Sequence, residues 1–254
     1  MWSFFLGKKL YNVYVGVLSA VVLGTFTTFY SFATHAMLDV PLVFFMLASL
    51  CCLIASEESK NALLYGALGG LFFGLAFLTK QFDAVLIPLI MVIYIIVTKR
   101  SIRGLFTKRF AAFAAVALLV FAPWLAYMNS RFGANVWSSY FLYSAVSRAV
   151  TPLEGHSHSL FYYFNYLATS ENLLWVLLLP FAVGLSIYFA VRRSKADLLI
   201  LIWMAVVLVV FSVAQTKIYY YILPAYPAFA LAISSLLYQT AKKAKLSLRK
   251  KINR

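Results

Sequence analysis

The sequence predicts an all-α integral membrane protein with about eight transmembrane helices and an interfacial helix on one side. Three observations carry this. Of 254 residues, 64% are hydrophobic and only 11% are charged, with a mean hydropathy of +0.89, whereas a soluble domain carries about a quarter of its residues charged. The apolar residues fall into eight stretches of nearly equal length. The basic residues collect in alternate gaps between those stretches.

The stretches lie at 13–30, 38–55, 62–79, 82–97, 110–127, 173–190, 198–214 and 221–237. At 1.5 Å per residue each is about 25 Å long, enough for the hydrocarbon core once flanking residues are included. Lipid offers a backbone no partner outside its own helix, so each reads as a transmembrane helix. Residues 1–10 form a short apolar segment with Lys8 and Lys9 but no small-residue cleavage site, so the spans themselves are expected to drive insertion. The chain is read as a single polytopic membrane domain over 1–254, without repeats. It has a long outer loop at 128–170 and a basic cytoplasmic tail at 238–254.

Orientation follows from counting charges. With the N-terminus inside, eighteen Lys and Arg residues fall on the cytoplasmic side, and Lys80, Arg131, Arg148 and Lys217 fall outside. Both termini are therefore expected in the cytoplasm. The net charge of +15 is a topology signal that also suits anionic lipid, and it implies no nucleic-acid partner. Cys51 and Cys52 are adjacent in an apolar stretch, which reads as packing rather than as redox or metal chemistry.

The outer side carries few charges, of both signs, at helix mouths where each is costly without a partner or a task. Asp39, two residues before Pro41, reads as a helix N-cap or as a base, with His35 as its partner or as an interface residue. Lys80 and Asp83 share a tight turn, where Lys80 either pairs with Asp83 or faces a pocket as a cation for phosphate. In the long loop, Val136, Trp137, Tyr140, Phe141 and Val146 recur at helical spacing, the pattern of the interfacial helix. Glu154, His156 and His158 precede the aromatic run 161–166. Without a third well-spaced ligand they suit substrate contact better than a metal, and a divalent metal is possible but unsupported. Pro224 and Pro227 are expected to kink or start the last helix.

Taken in order, Leu38-Asp-Val-Pro41, Gly74-Leu-Ala-Phe-Leu-Thr-Lys80, Ala122-Pro-Trp124, His158-Ser-Leu-Phe-Tyr-Tyr163 and Thr216-Lys-Ile-Tyr-Tyr-Tyr-Ile-Leu-Pro-Ala-Tyr-Pro227 resemble glycosyltransferase family 39. That group holds the protein O-mannosyltransferases and the aminoarabinose transferases of lipid A. The resemblance implies a C-type glycosyltransferase fold and a polyprenyl-phosphate sugar donor. It also implies an extracytoplasmic acceptor (protein, lipid or glycan) and an active face outside, with no cofactor required. It further implies that the chain begins where the family's third helix would, without two spans and their aspartate-bearing loop.

On this resemblance Asp39 is the catalytic residue, placing or deprotonating the acceptor or binding the sugar. Lys80, Lys217, Arg131 and Arg148 hold the phosphate. His156, His158, Tyr162, Tyr163, Tyr219 and Tyr220 line the substrate site, and no metal is assigned. Two other functions fit the composition: a transporter or flippase of a lipid-linked substrate, and a non-catalytic partner of a complete glycosyltransferase. Against transport, the spans hold almost no mid-depth charge and no inverted halves.

Overall fold

The computed structural model describes residues 1–152 and 156–252. All of its elements are helical, as the composition demands. In chain order they begin with α1 Trp2–Leu10, α2 Val13–Gly24, α3 Thr27–Thr34, α4 Asp39–Ala55, α5 Ala62–Thr79, α6 Gln81–Ala84 and α7 Leu86–Lys99. After α8 Lys108–Phe132 come a π-helix over Val136–Ser147, α9 Arg148–Val150, α10 Tyr162–Ser170, α11 Leu173–Val191 and α12 Lys195–Val213. A 3-10 turn at Tyr219–Ala225 leads into α13 Tyr226–Ile252.

Among the described residues, six helices are long and apolar enough to cross a membrane, and the pair α2 and α3 makes a seventh as a broken span. The protein is a multi-pass membrane protein. The predicted span 13–30 is not straight, because α2 and α3 meet at 70°. Thr25 makes the break: its hydroxyl donates back to the carbonyls of Val21 (2.9 Å) and Val22 (3.0 Å) and accepts from the Trp175 indole at 3.0 Å. Phe26 then turns inward against Tyr226, with ring centroids 4.9 Å apart. The apolar helix α4 is shorter, at 17 residues.

Residues 1–10, too short to span, nevertheless form α1. Its Gly7 lies against Gly16 of α2 so closely that a Cβ would meet the Gly16 Cα at 2.8 Å. Ser3 donates to Ser19 at 3.0 Å, so both small polar groups are satisfied in the interior. A second close approach joins α5 to α8 through Gly66, Gly70 and Gly74, spaced four apart. A Cβ on Gly70 would sit 2.2 Å from the Phe113 carbonyl oxygen. Small residues repeated every fourth position bring helix backbones together, and in lipid such packing replaces hydrophobic exclusion as the holding force.

The innermost helix is α13, whose first turns are buried from Tyr226 to Ser235. Pro227 stands in its first turn, where a missing N–H costs nothing, and Pro224 lies in the preceding 3-10 turn. The Pro224 carbonyl accepts from the buried Trp203 indole at 2.8 Å, which fixes this corner against α12.

Polar contacts sort into two ends. At one end Lys9 pairs with Glu58 (2.6 Å), Arg109 with Glu57 (3.2 Å) and Lys99 with Glu57 (3.8 Å), while the Tyr11 hydroxyl donates to Asp197 at 2.8 Å. At the other lie Asp39, Lys80, Asp83, Arg148 and Tyr221. Helix α4 runs from the second end to the first and α5 returns.

Candidate active site

The site begins with Lys80, in the turn between α5 and α6. Its ammonium lies 2.7 Å from Asp39 Oδ1 of α4 and 2.8 Å from Asp83 Oδ2 of α6. Both neighbouring carboxylates are largely shielded from solvent, with side chains 5% and 12% exposed. The rings of Tyr220 and Tyr221 stand 5.2 and 5.3 Å from the same nitrogen, adding their negative π faces. Burial alone would lower the Lys80 pKa. The charges of Asp83 and Asp39 outweigh it, so the ammonium is held well above the ordinary lysine range.

Asp39 is not an N-cap. It is the first residue of α4, makes no capping hydrogen bond and points at Lys80 instead. It is 3% exposed and does not line the cavity. His35 is not its partner, because its Nδ1 lies 2.7 Å from the Ser31 carbonyl oxygen and the residue is exposed.

Arg148 enters through backbone stitching. The Gln215 N–H donates to Ala149 O and the Thr216 N–H to Arg148 O, both at 3.0 Å, while the Thr216 hydroxyl donates to Thr151 O at 2.8 Å. A further bond from the Lys217 N–H to His156 O at 3.0 Å continues the seam beside the bridge between Ser157 and Thr216. The seam holds α9 against the end of α12. From there the Arg148 guanidinium donates to the Tyr221 hydroxyl.

Between these groups lies a cavity of about 400 Å³. Its polar wall is Lys80, Gln81, Asp83, Arg148, Thr216 and Tyr221, and its apolar wall runs along Leu86 and down α12 through Val210, Phe211, Val213 and Ala214. A polar mouth that holds two cations beside an apolar groove suits an anionic head on a hydrocarbon tail.

The remaining predicted residues divide. Tyr220 faces Lys80, and Tyr219 packs beside it on Tyr166 and Phe32, at centroid distances of 5.1 and 5.9 Å. His158 stacks flat on Tyr162 at 4.1 Å, and Tyr162 meets the fully buried Tyr163 edge-on at 5.2 Å. These form an aromatic shelf next to the cavity rather than its wall. Lys217 is outside the wall too: 4% exposed, it donates to the Ala214 carbonyl at 2.6 Å, satisfying the end of α12. Arg131 is exposed in the last turn of α8 and is not in the cavity wall. Glu154 lies outside the described residues, as do the side chains of Tyr140 and Phe141. Among the described residues no three of His, Cys, Asp and Glu come together as a metal site.

Four residues of the polar wall, Gln81, Asp83, Thr216 and Tyr221, were missing from the predicted site. Asp83 stood three residues from Lys80, a spacing that offered the signal, whereas nothing in the sequence separates Tyr221 from its two tyrosine neighbours.

Residues 2–127 match the family model for dolichyl-phosphate-mannose-protein mannosyltransferases. Over those residues the chain is similar to that family. Similar curated proteins include the undecaprenyl phosphate-alpha-4-amino-4-deoxy-L-arabinose arabinosyl transferase of Pectobacterium carotovorum, 29% identical over 88% of this chain and 40% of that protein. An arabinosyl transferase of the same description from Pseudomonas fluorescens is 27% identical over 92% and 43%. The chain thus spans about two-fifths of the length of the curated relatives it matches.

Among solved structures, ArnT from Cupriavidus metallidurans bound to undecaprenyl phosphate superposes with a TM-score of 0.76 at 23% identity, over 92% of this chain and 42% of that one. The archaeal oligosaccharyltransferase AglB from Archaeoglobus fulgidus, in complex with an inhibitory peptide and a dolichol-phosphate, gives 0.60 at 12% identity, over 96% and 39%. Both likenesses concern the fold, which is the membrane fold of C-type glycosyltransferases.

Proposed function

We propose that this protein is a membrane glycosyltransferase that moves a sugar from a polyprenyl-phosphate carrier to an extracytoplasmic acceptor. The observation that carries the reading is the pair of cations, Lys80 and Arg148, on the wall of one cavity whose other wall is apolar. Phosphate needs charge-assisted donors. Arg supplies a planar fork and Lys a point charge, and both act most strongly where water is excluded. The carrier's tail follows the apolar side chains of α12 toward lipid. Relatives that use undecaprenyl-phosphate sugars support the donor class.

In the reaction, the acceptor oxygen attacks the sugar's anomeric carbon as the bond to the phosphate oxygen breaks, with inversion, and the proton of a hydroxyl acceptor passes to the departing phosphate. The departing polyprenyl phosphate gains negative charge, and Lys80 and Arg148 stabilise it there. Asp39 acts through Lys80 as a positioning residue, while Tyr220 and Tyr221 shape the face over the ammonium. His158, Tyr162, Tyr163 and Tyr219 sit where a sugar or acceptor approaches from the shelf. Phosphate is met by side-chain cations in this scheme, so no metal is required.

The finer location belongs to the same proposal. Eighteen of the 22 basic residues lie in the segments assigned inside, which supports cytoplasmic termini and an extracytoplasmic cavity. The whole of 1–254 then acts as one membrane unit. The test is transfer from a radiolabelled polyprenyl-phosphate sugar in membranes containing the protein. Label moving to an acceptor, and lost with Lys80→Met, is expected; label remaining on the carrier in both would overturn the proposal.

A further inference from the structure

Among the described residues, Lys80 and Arg148 bring two positive charges to the cluster around the cavity, and Asp39 and Asp83 bring two negative ones. A phosphodiester entering it adds a negative charge that no further cation of the described cavity wall neutralises. An uncompensated charge in such surroundings is costly enough that the cheapest remedy is to neutralise an ionisable neighbour.

The two carboxylates are not equivalent. Asp39 accepts a direct hydrogen bond from Lys80 at 2.7 Å and stays behind it, away from the cavity. Asp83 faces the cavity, and its buried Oδ2 has only the 2.8 Å ion pair with Lys80. The groups facing it are Lys80 from the turn, Asp39 from α4, Arg148 from α9, Tyr221 from the 3-10 turn and Tyr163 from α10. A phosphate between Lys80 and Arg148 would confront Asp83 first. An ionised Asp83 only repels it; a protonated Asp83 donates its O–H to a phosphate oxygen.

We propose that Asp83 takes up a proton when a phosphate enters the cavity, so that lipid phosphate and a proton bind together. Asp83 is thereby a binding residue that makes donor affinity depend on pH. No covalent bond changes: the proton comes from water and returns to it when the phosphate leaves. This inference rests on the phosphate reading of the cavity given above.

The test uses farnesyl methyl phosphate, a phosphodiester with no second ionisation, so that the ligand itself stays a monoanion. Binding to the purified full chain is followed calorimetrically between pH 5.5 and 8.5, in two buffers of different ionisation heat. The expected result is uptake approaching one proton, with affinity falling by up to about tenfold per pH unit in the window where uptake occurs. Asp83→Asn should bind more tightly at pH 8 and lose both the uptake and the pH dependence, while Asp39→Asn keeps them. Wild-type binding that is flat with pH, or uptake persisting in Asp83→Asn, would overturn the inference and leave the phosphate reading intact. No binding by the wild type at any pH would overturn the phosphate reading and this inference with it.

Discussion

The Tyr221 hydroxyl accepts a hydrogen bond from the Arg148 guanidinium across 73 residues of sequence, so the second cation of the cavity is aimed by the corner that opens α13. The Tyr221 ring also stands 5.3 Å from the Lys80 nitrogen. One side chain therefore touches both cations. Tyr221→Phe keeps the ring over Lys80 but removes the acceptor that orients Arg148. The expected outcome is about tenfold weaker lipid-phosphate binding, the worth of one hydrogen bond to a charged group, with little change in thermal stability. A binding titration beside a melting curve reads both.

The glycine stripe of α5 predicts a different kind of defect. With the Phe113 carbonyl oxygen 2.2 Å from where a Cβ would lie, Gly70→Ala forces α5 and α8 apart. Overpacking of this kind costs about 1–3 kcal/mol. A lower melting temperature is expected in Gly70→Ala, whereas alanine at Gly184, where a Cβ meets nothing within 4 Å, should melt like the wild type.

Glu171 predicts a loss that spreads. Its Oε1 accepts from the Tyr226 hydroxyl at 2.6 Å and from the Thr28 N–H at 3.2 Å, tying the approach to α11 to the start of α13 and the bend before α3. Glu171→Ala leaves two buried donors unsatisfied, at about 1–3 kcal/mol each. Reduced thermal stability and faster proteolysis near the bend at Thr25 and Phe26 are the expected readouts.

The raised Lys80 pKa fixes the sign of a pH effect on stability. Burial lowers it, but Asp83 and Asp39 raise it further, so the folded value exceeds the unfolded one. The cluster's contribution is then fully present below about pH 10.4, the unfolded lysine value, and is lost only as pH rises through the folded value. In Lys80→Met, however, Asp39 and Asp83 are left without their cation, so the destabilisation should grow as pH rises from 6 to 9. Differential melting across that range checks it.

The class of fold was legible because lipid forces apolar stretches to close their hydrogen bonds within helices. The interruption of 13–30 was not, since its residues are uniformly apolar and the break depends on Trp175 reaching Thr25 across 150 residues. Helix α1 escaped for a related reason: it is too short to span and forms against α2 through Gly7 and Gly16. At the site, the link between Lys80 and Asp83 could be read from spacing. That between Lys80 and Asp39, 41 residues apart, depends on how α4 packs on α5. Lys217 looked like a phosphate ligand because its motif is distinctive, yet a lysine can equally satisfy a helix end, and its ammonium meets the Ala214 carbonyl.

The central claim is that Lys80 and Arg148 together hold a lipid phosphate. Native mass spectrometry of the purified chain with undecaprenyl phosphate, compared with undecaprenol, tests it most directly. The account predicts that the phosphate binds and the alcohol does not. Affinity should fall by about a hundredfold in Lys80→Met and in Arg148→Met, the loss expected on removing one partner of a buried charge pair, while Lys217→Met and Arg131→Met bind like the wild type. Equal retention of the two lipids, or undiminished phosphate binding in both Lys80→Met and Arg148→Met, would contradict it.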